Sequence, residues 1–336
     1  MIELDRRALL CAAGAVLAGS GVARAAPAAI DEQGFVRIGG IDQWIGIQGR
    51  DASNPAILYL HGGPAEAQSP FLKLFLPWEQ DFTVANWDQR GSGKTYGRNG
   101  ASTPDMTLDR MAEDAIEVAH HVRQRLGKRK IILVGQSWGA ALGVHVVKRR
   151  PDLFGAFVGT GQPVTWASSL QNVERYARQQ ATVAGDQAAL KALDDAEALP
   201  LSDMRRIQGS ARWRMGPRDL EYLKIQGEFI GPAPPTTGDA ADWVAGGAFS
   251  IPKLIPAIFG LDLPKLGDDF ALPMFVIQGR EDRVTSFDAA RDWVEHLHAP
   301  AKGFIPIDGG HFACFTNGPG FAFALKTQVL PHARGA

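Results

Sequence analysis

The chemistry in this chain begins with Gly135-Gln136-Ser137-Trp138-Gly139. A serine between two glycines, after an apolar run and before a helical pattern, has the context of a nucleophile held on a sharp strand-to-helix turn. A serine hydroxyl reacts poorly at neutral pH, so it needs a base to take its proton and an acid to orient that base. His311, in Pro306-Ile307-Asp308-Gly309-Gly310-His311, follows the last apolar strand pattern and is the expected base. His332 is late enough in the chain but close to its end. Asp282, in Gly279-Arg280-Glu281-Asp282-Arg283-Val284, is the expected acid, with Glu281 as competitor and Asp308 as a weaker rival. The chain order Ser, Asp, His is one of the orders known for such triads. A tetrahedral intermediate also needs two backbone N–H donors. Trp138, next after the serine, supplies one. His61-Gly62-Gly63-Pro64 supplies the other, through Gly63 rather than Gly62, with His61 holding the loop by a hydrogen bond.

The other candidates are weaker. His120-His121 are adjacent on a helical pattern and face different ways, and His296 and His298 lack ligand spacing, so no zinc site is expected. Gly91-Ser92-Gly93-Lys94-Thr95 has the tail of a phosphate loop, but Asp88 stands where its first glycine belongs. Cys314 reads as a packed thiol. No cofactor and no metal are expected.

These groups must be positioned by a sheet. Residues 35–38 and 41–47 read as a hairpin turned at Gly39-Gly40, and 56–60, 82–87, 131–134, 156–159, 273–277 and 303–307 read as further strands. Apolar residues at helical spacing mark 107–126, and helices are also expected at 138–149, 286–298 and 320–330. Strands alternating with helices predict an α/β fold with a mostly parallel central sheet covered on both faces. Residues 162–267 break the alternation, with polar helical stretches and a loop at Gly231-Pro232-Ala233-Pro234-Pro235, and read as a helical cap inserted between two strands. The core is then 26–161 and 268–336.

With 35 Lys plus Arg against 36 Asp plus Glu, the net charge is −1, without the basic excess of a nucleic-acid binder. Two cysteines, Cys11 and Cys314, rule out a disulfide framework. The start of the chain carries Arg6-Arg7, an apolar run from Ala8 to Ala18 and the small residues Ala23-Arg24-Ala25-Ala26. That pattern predicts a signal peptide over 1–25, suggests the twin-arginine route and an exported protein, and leaves no membrane anchor after cleavage.

His61-Gly62-Gly63-Pro64, Trp87-Asp88-Gln89-Arg90-Gly91-Ser92-Gly93 and Gly135-Gln136-Ser137-Trp138-Gly139 together resemble the proline iminopeptidases of the α/β-hydrolase superfamily, and Gly279-Arg280-Glu281-Asp282 and Gly310-His311 fit the same pattern. The resemblance covers about 35–160 and 268–330. It implies an α/β-hydrolase fold, a Ser137–Asp282–His311 triad, Gly63 and Trp138 as oxyanion donors, and a cap that closes the site. Ala65 departs from the family's glycine after the proline. The cap carries no matching string: family members hold the substrate's amino group with cap carboxylates, and Glu174, Glu197, Glu221 and Glu228 are all available here without one being distinguished. Trp166, Trp213 and Trp243 either line a pocket or pack the cap.

The expected function is cofactor-free serine hydrolysis through an acyl-enzyme, as an aminopeptidase releasing an N-terminal residue such as proline from a short peptide. The alternatives are an esterase, lactonase or amidase on a small non-peptide substrate, and a ligand-binding protein that keeps the fold without turnover.

Overall fold

The structure is a computed structural model that describes residues 28–210, 215–333 and 335. The expected signal segment and Trp213 lie outside the described residues. Eight strands form one sheet: β1 (Ile30–Ile38), β2 (Ile41–Gly49), β3 (Ala56–Leu60), β4 (Thr83–Trp87), β5 (Ile131–Gln136), β6 (Phe154–Thr160), β7 (Met274–Gly279) and β8 (Lys302–Ile307), in the order β1-β2-β4-β3-β5-β6-β7-β8. β1 and β2 form the hairpin, and β2 runs antiparallel to β4. Every other neighbour is parallel. The parallel strands β3 to β7 are apolar on both sides because both sides are covered.

Strand side chains alternate between two cores. Leu58, Leu60, Ile131, Leu133, Met274 and Val276 face α2 (Leu108–Leu126), α3 (Trp138–Arg149) and α9 (Phe287–His296). Ile57, Tyr59, Ile132, Val134, Phe275 and Ile277 face Phe75 and Trp78 and the C-terminal helices α10 (Ala313–Thr316) and α11 (Gly318–Ala324). The periodic segment at 107–126 forms α2 because Met111, Ala112, Ala115, Val118, Ala119 and Val122 share one buried face. The Thr107 side chain caps its start by accepting the Arg110 N–H, and Gly127 ends it in the left-handed conformation.

One expectation needs adjustment, and one helix was not expected. The helix expected over 320–330 is α11 only to Ala324, followed by wider and then tighter turns through His332. Gly93–Asn99, which carries the phosphate-loop lookalike, is a helix, α1. Its start is fixed from outside, because Asp88 Oδ2 accepts the Lys94 N–H at 2.9 Å.

Between β6 and β7 the chain leaves the sheet and forms α4 (Trp166–Ala184), α5 (Gln187–Glu197), α6 (Met204–Ser210), α7 (Leu220–Ile230) and α8 (Gly238–Phe259). A single antiparallel bridge between Thr165 and Asp262 draws the two ends of this insert together. No helix among the described residues is long and apolar enough to cross a membrane.

Candidate active site

Ser137 sits between β5 and α3 with φ 52° and ψ −117°. A non-glycine residue in that region is strained, at a cost of about 1–3 kcal/mol, and persists only where its surroundings impose it. Here they do. The Ser137 N–H donates to Thr160 O at 2.9 Å. A Cβ on Gly139 would stand 2.0 Å from Leu60 O, so only glycine lets α3 come this close to the end of β3. The turn lifts the Ser137 side chain above the sheet at the start of α3, where the helix dipole favours negative charge.

His311 and Asp282 meet from two further loops. The His311 Nδ1–H faces both Asp282 oxygens, at 3.1 Å to Oδ1 and 3.0 Å to Oδ2. Both residues are buried. Asp282 is itself held firmly: Oδ1 accepts the N–H groups of Val284 and Thr285 at 2.8 and 2.9 Å, and Oδ2 accepts from Thr285 Oγ1 at 2.7 Å and Gln278 Nε2 at 2.8 Å. The rival carboxylates are occupied elsewhere. Glu281 pairs with Arg218 at 2.9 Å, and Asp308 is an exposed loop charge 3.9 Å from Arg280. His332 packs on the Phe275 ring.

The serine and the histidine share a cavity. Ser137, His311, Gly63 and Val284 all line the cleft between the sheet and the insert. Gly161 directly follows Thr160, the partner of the Ser137 N–H. A Cβ on Gly161 would stand 2.8 Å from His311 Cε1, so the imidazole ring occupies the space that a side chain there would take. Ser137 also opens onto a smaller apolar cavity of about 90 Å³, lined among others by Trp138, Ala141, Trp166, Val173 and Leu261.

The loop carrying Gly63 is tied to Trp138 through one side chain. Gln89 Nε2 donates to His61 O at 2.9 Å, and Gln89 Oε1 accepts from Trp138 Nε1 at 3.1 Å. One amide thus joins the His61-Gly62-Gly63-Pro64 loop to the residue after Ser137. His61 holds the same loop: its Nδ1–H faces Gly62 O at 3.0 Å, and its Nε2 accepts the Gln89 N–H at 3.1 Å. Burial pushes the His61 pKa down to about 4, which suits a ring whose Nε2 must stay an acceptor. The rest of the Trp87–Gly93 string anchors this arrangement. Trp87 Nε1 donates to Gln43 at 2.8 Å. Arg90 and Asp114 form a fully buried pair at 2.7 Å, with Arg90 also donating to Gly39 O and Pro104 O. Asp88 accepts from Ser69 Oγ at 2.6 Å, and burial raises its pKa to about 6.

The four glutamates expected to compete in the insert do not line the Ser137–His311 cavity. Glu174 pairs with Arg206 at 2.6 Å, Glu197 with Arg178 at 3.0 Å and Glu228 with Lys224 at 3.7 Å. The carboxylate that does line it is Glu66, two residues past Pro64, whose Oε1 accepts from Gln226 Nε2 of α7. Its only sequence signal is nearness to the glycine loop. Trp243 lines this cavity, and its Nε1 donates to Ala67 O at 3.0 Å, so lining and packing are one role. Trp166 likewise lines the smaller cavity while donating to Leu201 O at 2.7 Å. Cys314 is fully buried, which raises its thiol pKa well above the usual range, as suits a packed residue. Among the described residues no cluster of three His, Cys, Asp or Glu could hold a metal ion.

A sheet of this order, with a strained serine after its fifth strand and a His–Asp pair from the loops after its last two, defines a class. The family model for the α/β hydrolase fold matches residues 55–318, and the chain belongs to that family. It is a serine hydrolase related to aminopeptidases and proline iminopeptidases. It is 27% identical over 315 residues to the Probable aminopeptidase YbaC of Bacillus subtilis, covering 88% of this chain and 95% of that one. To the proline iminopeptidase of Saccharolobus solfataricus it is 30% identical over 131 residues, 39% of this chain and 41% of the relative. In fold it is similar to the solved proline iminopeptidase of Mycobacterium smegmatis, with a TM-score of 0.61 at 20% identity over 90% of this chain and 99% of that structure.

Proposed function

We propose that this enzyme is an aminopeptidase that releases the N-terminal residue of short peptides through an acyl-enzyme on Ser137. The observation that carries the reading is the convergence of Ser137 and the Asp282-bound His311 on one cavity that also holds the Glu66 carboxylate. His311 Nε2 takes the Ser137 proton as Oγ attacks the scissile carbonyl, and Asp282 keeps the proton on Nδ1 and steadies the imidazolium. The Gly63 and Trp138 N–H groups receive the oxyanion; Trp138 stands at the first helical position, where N–H groups have no partner within the helix. His311 then protonates the departing amine, and water releases the acyl group by the reverse steps. Glu66 supplies the countercharge for the substrate's α-ammonium, and the smaller apolar cavity takes a compact side chain such as the proline ring.

The alternative, an esterase or amidase for a neutral substrate, is favoured by the apolar lining of both cavities. A fluorophosphonate probe and a substrate panel test the two. Labelling of Ser137 with kcat/KM higher for proline arylamide than for N-acylated proline arylamide and small aryl esters supports the aminopeptidase. Preference for esters by orders of magnitude transfers the assignment to the esterase, and failure to label Ser137 in the folded protein removes both. The Arg6-Arg7 and apolar pattern of residues 1–25 supports action after export, which fractionation of cells expressing the full chain tests.

A further inference from the structure

Asp219 lies in the insert, on a short turn (Pro217–Asp219) just before α7. It is fully buried. Its Oδ1 accepts the Phe312 N–H at 3.0 Å, directly after His311. Its Oδ2 is buried with no hydrogen-bond partner. The His loop is shaped around it: a Cβ on Gly310 would stand 2.4 Å from Oδ2 and 2.5 Å from Oδ1. A buried carboxylate with an unpaired oxygen is costly, and a neutral side chain of the same shape would accept the Phe312 N–H without that cost. The charge therefore needs a positive partner, and the group beside it that becomes positive is the imidazole of His311.

We propose that Asp219 is a positioning residue for His311: the insert reaches into the core, fixes the backbone of the Gly310–Phe312 turn, and adds a second negative charge behind the base. This rests on His311 being the base. Burial raises the Asp219 pKa above the ordinary range, the backbone N–H groups of Phe312 and His311 and the His311 imidazole lower it, and Asp282 raises it. The other groups around it are Cys314 of α10, Tyr222 of α7 packed on Phe312, and Arg283 and the backbone of Glu281 beside Gly216, where Glu281 pairs with Arg218. The arrangement makes the base dependent on the docked insert, so an enzyme whose insert lifts away loses the alignment of His311 as well as its substrate cavity.

The test is D219N, assayed on a neutral aryl ester so that no substrate group titrates. The amide oxygen of the variant can still accept the Phe312 N–H, but the charge is gone. The kcat falls about tenfold, because the imidazolium formed on the way to the acyl-enzyme loses a nearby negative charge, with KM almost unchanged. The acid limb of kcat/KM moves to lower pH by about half a unit, because a base that loses a nearby negative charge is less basic. A folded D219N enzyme with wild-type kcat and acid limb overturns the proposal. So does a variant that loses only thermal stability. Should D219N not fold, G310A serves instead, since it displaces the carboxylate from the other side. Wild-type kcat in folded G310A likewise overturns it. Full activity in H311A, by contrast, would refute the triad reading itself and is scored separately.

Discussion

The sheet core and the helical insert are built by different means. In the core, several polar groups are buried and closely paired: Arg90 with Asp114 at zero exposure, Gln43 with both Trp87 and Asp114, and Asp282 with four donors besides His311. In the insert, Val183, Leu220, Met204 and Ile251 are exposed, and the pairs Arg178–Asp194, Lys191–Asp195 and Lys224–Glu228 lie at the surface, where such pairs contribute little. One small apolar cluster, Ala177, Ala181 and Leu193, joins α4 to α5. Atoms that must hold a geometry during bond breaking sit where many contacts fix each side chain. Surfaces that must admit a substrate sit where few do.

This contrast can be broken at several points. S137A or H311A should lower kcat by about 10⁴-fold or more while circular dichroism stays that of the wild type. Substantial residual turnover with either variant would mean that the core does not carry the chemistry. Q89L should lower kcat by about 100-fold with KM little altered, because both oxyanion arms lose their common tie. A change of less than about threefold would show that each arm is held independently. In E66Q the KM for amino-acid arylamides should rise about tenfold, while neutral aryl esters are hydrolysed as before. Equal effects on both substrate types would remove Glu66 from ammonium recognition.

The insert provides the complementary experiment. E174Q weakens the half-buried pair with Arg206 and should destabilise the insert by about 1 kcal/mol, seen as faster limited proteolysis at unchanged kcat on small esters. A matching fall in kcat would mean that insert and core are coupled more widely than through Asp219.

The smallest effect concerns acid. His61, lowered to about 4, is protonated in the unfolded chain but not in the folded one between roughly pH 6.5 and 4, so stability falls as pH drops through that window. Asp88, raised to about 6, takes up its proton earlier in the folded state and works in the opposite direction between roughly pH 6 and 3.8. From pH 7 to 5 the two amount to roughly 2 kcal/mol lost and roughly 1 kcal/mol regained. D88N removes the offset, so urea unfolding at the two pH values should show a steeper loss than in the wild type. Equal slopes would place the buried charges differently from this account.

The same contrast decides what could be read in advance. Apolar runs and glycine turns located β3, β5, β6 and β7, and α3 begins and ends where its sequence pattern does, because each is specified by neighbours in the chain. The Ser137 turn was legible for the same reason, and Asp282 could be chosen over Glu281 from its place after β7. Gln89 and Asp219 were not legible, since their partners lie 28 to 93 residues away and no local pattern marks them. The insert glutamates could not be ranked for a related reason. Polar helical stretches mark 162–267 as helical, but not which of their side chains reach the cleft. The α1 helix was missed because Asp88, which fixes its start, looked like a missing glycine instead.

Gln89 has one more implication. An amide presents a donor at one end and an acceptor at the other, and the two elements it joins demand opposite ends. A glutamate there would fill almost the same volume and still accept from the indole of Trp138, yet it would set two oxygens against each other at the carbonyl of His61 and bring a full negative charge towards the proposed oxyanion site. At this position the near-isosteric exchange is the harmful one, and a bulkier greasy side chain is the milder insult.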